Sequence, residues 1–338
     1  MRKVGLVVNP VAGLGGRVGL GGTDGPDRLR LARSLGALPS AGVRATAALS
    51  ELAARSGRST GDGALARGGP GSGNPVRGGA PGAGLLVVTA AGPLGADSVA
   101  AAGLAGQVVY AAGAGRDTSA ADTDAAVRAV VAEGVDLLLF AGGDGTARDV
   151  LGALGRAACP VLGVPTGVKM HSAVFAVGPR AAGEVAAAWL ARGGAVRLRD
   201  AEVMDRDEDA LGEGRVASRL FGWLPVPDVP VRVQQRKSGS TVTAPDAVGG
   251  IAADVAERVG DGLLVLGPGT TTRAVAAALG ADVSLTGVDV LRLRPDRPPC
   301  VVARDAGEAA LLSAGPAWIA LSPIGGQGFL LGRGNQQI

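Results

Sequence analysis

Leu137-Leu138-Leu139-Phe140-Ala141-Gly142-Gly143-Asp144-Gly145-Thr146 is the stretch that decides the fold. Four large apolar residues in a row suit a strand covered on both faces, as in a parallel sheet. Gly142, Gly143 and Gly145 allow a sharp turn in which the backbone comes close to a ligand. Beyond them Ala147, Val150, Leu151 and Leu154 recur at helical spacing, so the turn opens a helix with these residues inward. Backbone N–H groups at a helix N-terminus favour phosphate. A loop that only cradles phosphate has no use for a negative charge, yet Asp144 sits inside this one. Phosphate donors beside a carboxylate point to phosphoryl transfer, with Asp144 accepting the proton of an attacking hydroxyl.

The same alternation extends to both sides. Val4 to Val8 reads as a short buried strand ending at Asn9-Pro10, followed by a glycine-dense run from Gly13 to Gly25. That run reads equally well as a ligand-facing loop at a strand's carboxyl end or as a surface loop. Asp27 to Leu38 places Leu31, Leu35 and Leu38 on one helical face. Leu85–Thr89 and Gln107–Tyr110 read as strands, and Thr118–Gly134 as a helix with Val127, Val130 and Val131 inward. Pro160–Val164 is a further buried strand. It runs into a second loop at a carboxyl strand end, Pro165-Thr166-Gly167-Val168-Lys169-Met170-His171-Ser172. Here Lys169 is either a phosphate-neutralising cation or an ordinary loop cation. His171, the only histidine, reads as a packed residue rather than a base. The helix that follows turns Val185, Trp189 and Leu190 inward. Strands alternating with helices predict a doubly wound, Rossmann-like α/β domain over residues 1–195. Within it, residues 51–84 are rich in Gly, Arg, Ser and Pro, bury little, and read as a mobile insertion.

Near Arg197 the pattern changes to period two, in Val196–Asp200 and again in Val231–Gln234, and Pro225, Pro227 and Pro230 break the region into short extended pieces. A β-rich second domain over 196–304 is the expectation. It holds an acidic cluster of Glu202, Asp205, Asp207, Glu208 and Asp209. Such a run is ordinarily a solvated face, with a divalent-ion or ribose contact as the sharper alternative. Leu263 to Leu266 is another buried strand running into Gly267-Pro268-Gly269-Thr270-Thr271-Thr272, then a helix from Ala274. Threonine hydroxyls beside helix N–H groups suit a phosphate or ribose, although a threonine cap alone needs only one of the three. The end of the chain, with a strand and glycine turn at Trp318–Gly328 and no terminal element after Gly334, suggests that a C-terminal segment is missing.

Composition narrows the class. The chain has 338 residues, 47% apolar but only 2% aromatic, with 58 glycines, so its core rests on Ala, Val and Leu. Its 33 basic and 30 acidic residues leave a net charge of only +3. With so few aromatic rings to stack bases, nucleic-acid binding is not expected. A single histidine excludes a multi-histidine zinc site, and Cys159 and Cys300 have no metal spacing. No signal peptide or membrane-spanning stretch is apparent, and a cytoplasmic location is the default.

The pentad Gly142–Thr146 after a buried strand, with Asn9-Pro10 after the first strand, resembles the ATP-NAD kinase family. The same pentad occurs in diacylglycerol and sphingosine kinases. The segments Asn9–Gly25, Gly163–Ser172 and Gly267–Thr272 narrow the likeness to a prokaryotic branch of predicted ATP-NAD kinases, some associated with acetoin catabolism. The resemblance implies that Asp144 is the catalytic base acting on the 2′-hydroxyl of the adenosine ribose of NAD. It makes ATP or polyphosphate the donor, with Mg²⁺ bridging the donor phosphates and no metal-ligating residue assigned. By the same likeness Asn9, Gly142, Gly143, Gly145, Thr146, Thr166, Gly167, Lys169, Gly269, Thr270, Thr271 and Thr272 are the nucleotide- and phosphate-binding candidates. The family's Asn-Glu pair matches Ala201-Glu202, so Glu202 is the acceptor-binding candidate and the asparagine is lost. The resemblance further implies that residues 305–338 return to pack on the first domain and that the protein is a homo-oligomer. The competing functions are a lipid kinase, or a non-catalytic nucleotide-binding regulator on the same scaffold.

Overall fold

The computed structural model describes residues 2–15, 18, 20, 26–58, 84–113, 118–155, 157–166, 170–192, 196–206, 218–229, 245–284 and 287–322. The chain divides into two compact units. The first holds Met1–Pro10, Ser40–Thr166 and His171–Gln234, and the second Val11–Pro39, Gly167–Met170 and Gln235–Ile338.

The first unit is built on a parallel sheet of five strands, β1 Arg2–Val8, β2 Leu85–Ala90, β3 Gly106–Tyr110, β4 Leu137–Gly142 and β5 Val161–Pro165. Their spatial order is β3-β2-β1-β4-β5. Every residue of β4 and β5 is buried, as a strand covered on both faces requires. Helices α2 (Ala41–Arg58) and α6 (Pro179–Arg192) pack together against β4 and β5. Helices α4 (Ala120–Ala132) and α5 (Asp144–Leu154) cover the other face. The fold is therefore α/β, with a Rossmann-like sheet flanked by helices and a strand-rich second unit. The second unit contains α1 (Pro26–Ser34) and, between β2 and β3 of the first, α3 (Ala96–Ala101) completes the helix count to α6.

Close packing at the centre depends on one missing side chain. A Cβ on Gly163 of β5 would lie 2.3 Å from the ring of Phe175. The space that glycine leaves lets Phe175 meet Phe140 edge-on, with centroids 5.4 Å apart.

Several expectations shift. Residues 51–58 belong to α2, because Ala45, Ala48, Leu49 and Leu52 make one buried helical stripe, so the insertion begins later than Glu51. Residues 59–83 lie outside the described set. In the Asp27–Leu38 stretch the helix ends at Ser34, and Leu31, Leu35 and Leu38 are exposed, with Ala32 alone fully buried. The prolines do not break the strand at 225: β7 runs Ser218–Pro227 and pairs antiparallel with β6, Leu198–Arg206. Each is an edge in a two-stranded sheet, where a residue lacking an N–H costs no ladder bond on its open side. Val231–Gln234 lies outside the described residues.

The expected boundary at 196 falls inside the first unit, because the β6–β7 pair packs on α5 and β5. The second unit has a four-stranded sheet in the order β10-β9-β8-β11. Its strands are β8 Gly262–Leu266, β9 Asp289–Arg294, β10 Arg297–Ala303 and β11 Trp318–Ala320. Helices α7 (Pro245–Val259), α8 (Thr270–Ala278) and α9 (Glu308–Ser313) complete it. Val259, Leu264, Leu266, Ala276 and Leu291 form one apolar cluster, and Val265, Val288 and Val290 another on the opposite side of the strands. Of residues 305–338, those described end at 322 and include β11, which pairs parallel with β8 in this second unit.

Candidate active site

The strand order reverses between β1 and β4, since β2 follows β1 on one side and β5 follows β4 on the other. Open α/β sheets take ligands outside the carboxyl ends of strands at such a point. Asn9 leaves β1 there, and Gly142 to Thr146 leaves β4. The backbone N–H of Asn9 donates to the Ala141 carbonyl at 2.9 Å, and its side-chain amide donates to the Thr146 hydroxyl at 3.0 Å. Thr166, fully buried, closes the group from β5 by donating its N–H to the Gly142 carbonyl at 3.1 Å. A Cβ on Gly142 would stand 2.4 Å from the Thr146 side chain, so glycine there is a steric requirement.

Asp144 is the first residue of α5, capped by Gly143. Its carboxylate is buried and accepts two backbone bonds, from His171 at 2.7 Å and from Ser172 at 3.0 Å. The Ser172 hydroxyl locks this loop to β6: it accepts from the Met204 N–H at 2.9 Å and donates to the Met204 carbonyl at 2.8 Å. Burial raises the Asp144 pKa from 3.8 to about 6, against the lowering effect of the bonds from His171 and Ser172, with the nearby charge of Asp205 adding to the rise. A carboxyl group so tuned is ionised at neutral pH and has a proton affinity suited to a general base.

Residues 85–194 match the family model of the ATP-NAD kinase N-terminal domain. That likeness to the ATP-NAD kinase family covers residues 85–194 of the 338. No curated protein and no solved structure matches the chain.

The matched segment spans β2 to α6 and includes Asp144, but stops before β6, where the acceptor candidates lie. Ala201, where the sequence resemblance would place an asparagine, is fully buried in β6. Glu202 is its neighbour in the strand, half-buried, and so projects from the opposite face of the β6–β7 pair. Strand alternation puts Asp205 on the face of Ala201 and Val203, which packs on α5. There its carboxylate meets Arg148 at 3.2 Å and lies 3.9 Å from where a Gly145 Cβ would stand.

Gly167 and Lys169 lie outside the described residues. Gly269, Thr270, Thr271 and Thr272 sit in the second unit, where Gly269 caps α8 without a side-chain bond. Thr272 is buried and donates its hydroxyl back to the Gly269 carbonyl at 3.1 Å, which occupies one of the three threonines locally.

Sequence reasoning missed the two loop N–H groups that hold Asp144, because a backbone donor leaves no trace in residue identity. It placed Asp205 in an acidic cluster and passed over Arg148. The signal for Arg148 was present: it follows Asp144 by four residues, one helical turn along the same face. Among the described residues no three His, Cys, Asp or Glu side chains gather as a metal cage. No helix among them is long and apolar enough to cross a membrane.

Proposed function

We propose that the protein transfers a phosphoryl group from ATP to the 2′-hydroxyl of the adenosine ribose of NAD, giving NADP. The observation that carries this reading is Asp144: a buried carboxylate at a helix N-terminus, with a pKa raised to about 6 and both oxygens oriented by backbone donors. A hydroxyl placed against it loses its proton to Asp144 as the oxygen attacks phosphorus. N–H groups at the start of α5 and the Asn9–Thr146 pair position the phosphates at the same strand ends.

The carboxylates fit Mg²⁺ only as an ion carried in on the donor phosphates. Such an ion keeps most of its shell as phosphate oxygen and water and needs one or two carboxylates. Asp205 beside Gly145 is the residue that would share it. Bound there, Mg²⁺ would neutralise charge on the donor phosphates.

The test is product identification by mass after incubation with NAD and ATP or polyphosphate, with Asp144→Asn alongside. The expected outcome is NADP from the wild type and turnover lower by about 10²–10⁴-fold in the variant, with NAD binding kept. The wild-type rate should fall below about pH 6, as Asp144 takes up its proton. Equal turnover in the variant removes Asp144 from the reaction. One observation favours a second reading, a nucleotide-binding regulator: the buried alanine at 201 where the family resemblance calls for asparagine. Calorimetric binding of NAD with no transfer from any donor would select it.

A further inference from the structure

The β6–β7 pair carries a feature that the reading above does not use. β7 has one extra residue opposite β6: Val203 pairs with Gly222 and Met204 with Leu220, which leaves Phe221 unpaired in a bulge. Bulges re-aim side chains, often beside active sites. Phe221 is aimed at two cations. The guanidinium of Arg148 lies 5.5 Å from its ring centroid, and that of Arg219 lies 5.6 Å from it. Arg148 is at the same time held by Asp205 at 3.2 Å, and its side chain is still 48% exposed. Phe221 and Arg219 are exposed as well.

An exposed arginine on a solvated face pays rotamer entropy whenever it grips an anion. Here the ring holds both guanidinium groups close to it in advance, so less freedom is lost on binding. The cluster stands one helical turn from Asp144 on α5. Two arginines against one aspartate leave a positive excess, and the planar forks match phosphate oxygens.

We propose that Arg148 and Arg219, stacked on Phe221, form a seat for a chain of two or more phosphates, with Asp205 as the internal anion that occupies Arg148 until the ligand arrives. The ligand's phosphate takes the place of the Asp205 carboxylate on the Arg148 guanidinium, and no covalent bond changes. This deepens the proposed kinase reading and rests on it for the identity of the ligand. The phosphates are either the diphosphate of a dinucleotide acceptor or the terminal phosphates of the donor.

Titration calorimetry of tripolyphosphate and of NAD, without added Mg²⁺, tests the proposal on the wild type and on Arg148→Met, Arg219→Met and Asp205→Asn, each checked for an unchanged melting temperature. Arg148→Met and Arg219→Met should each weaken at least one ligand by about tenfold or more. Asp205→Asn should tighten the same ligand several-fold, because it removes the competitor; a merely structural aspartate would give no gain. Loss confined to NAD assigns the seat to the acceptor, and loss confined to tripolyphosphate assigns it to the donor. Wild-type affinity in both arginine variants, or no polyanion binding by the wild type, overturns the seat. A variant that melts early is replaced by Arg148→Lys or Arg219→Lys, which keep the charge but not the fork and should bind with intermediate strength. A chain that binds tripolyphosphate through Arg148 yet forms no NADP would sink only the kinase reading.

Discussion

At the scale of single residues, the turn after β4 is set by what its side chains exclude as much as by what they contact. Gly142 leaves room for Thr146, and Thr146 in turn accepts the Asn9 amide, so one absent methyl joins the ends of β1 and β4 to α5. Gly142→Ala should therefore cost about 1–3 kcal/mol of stability, the usual price of forcing an extra carbon into a packed site. Chemical denaturation reads it directly, and a variant as stable as the wild type would show that Thr146 can move aside. The glycine pentad and its aspartate were legible in the sequence because turn chemistry and helix starts depend on local residue type. The partners of Asp144 were not legible: they are N–H groups of His171 and Ser172, which lie 27 and 28 positions further along the chain.

At the scale of elements, the central strands β4 and β5 announced themselves as unbroken apolar runs, since both are buried on both faces. Amphipathic reading worked for α4, α5 and α6, where Val127, Val130, Val150 and Val185 are fully buried. It failed over Asp27–Leu38, where Leu31, Leu35 and Leu38 are exposed although their spacing is helical. Periodicity records that a face exists and is silent on whether another element covers it. β7 shows the reverse error, because Pro225 and Pro227 look like breaks until the strand is seen to have one partner only. Packing between elements leaves no room for a side chain at Gly163, beneath Phe175 and near Phe140. Gly163→Ala should destabilise by about 1–3 kcal/mol. In a double-mutant cycle, Gly163→Ala with Phe175→Ala should cost less than the sum of the two single changes, because the smaller side chain makes room for the new methyl. Simple additivity would mean that the strain is relieved elsewhere.

At the scale of the whole molecule, Asp144 sets a pH dependence that opposes the usual one for paired carboxylates. Its folded pKa of about 6 lies above the unfolded value of 3.8, so between these values the folded chain holds a proton that the unfolded chain has released. Stability from this group is fully present below about pH 4 and is lost as pH rises through 6, by about 3 kcal/mol at most. Asp144→Asn cannot titrate, so the wild type should lose stability relative to the variant across that window, as read from urea unfolding at a series of pH values. A constant difference would refute the raised pKa. By itself the sequence determined the α/β class, the buried parallel strands and the strand–glycine-turn–helix at 137–154, because those follow from local periodicity and from turn residues. Only the tertiary structure decided that β6 and β7 join the first unit, that β11 pairs within the second, and that Asp144, Ser172, Arg148 and Asp205 come together. Strand pairing and burial join residues far apart in the chain, and no local pattern encodes which distant partner closes a site.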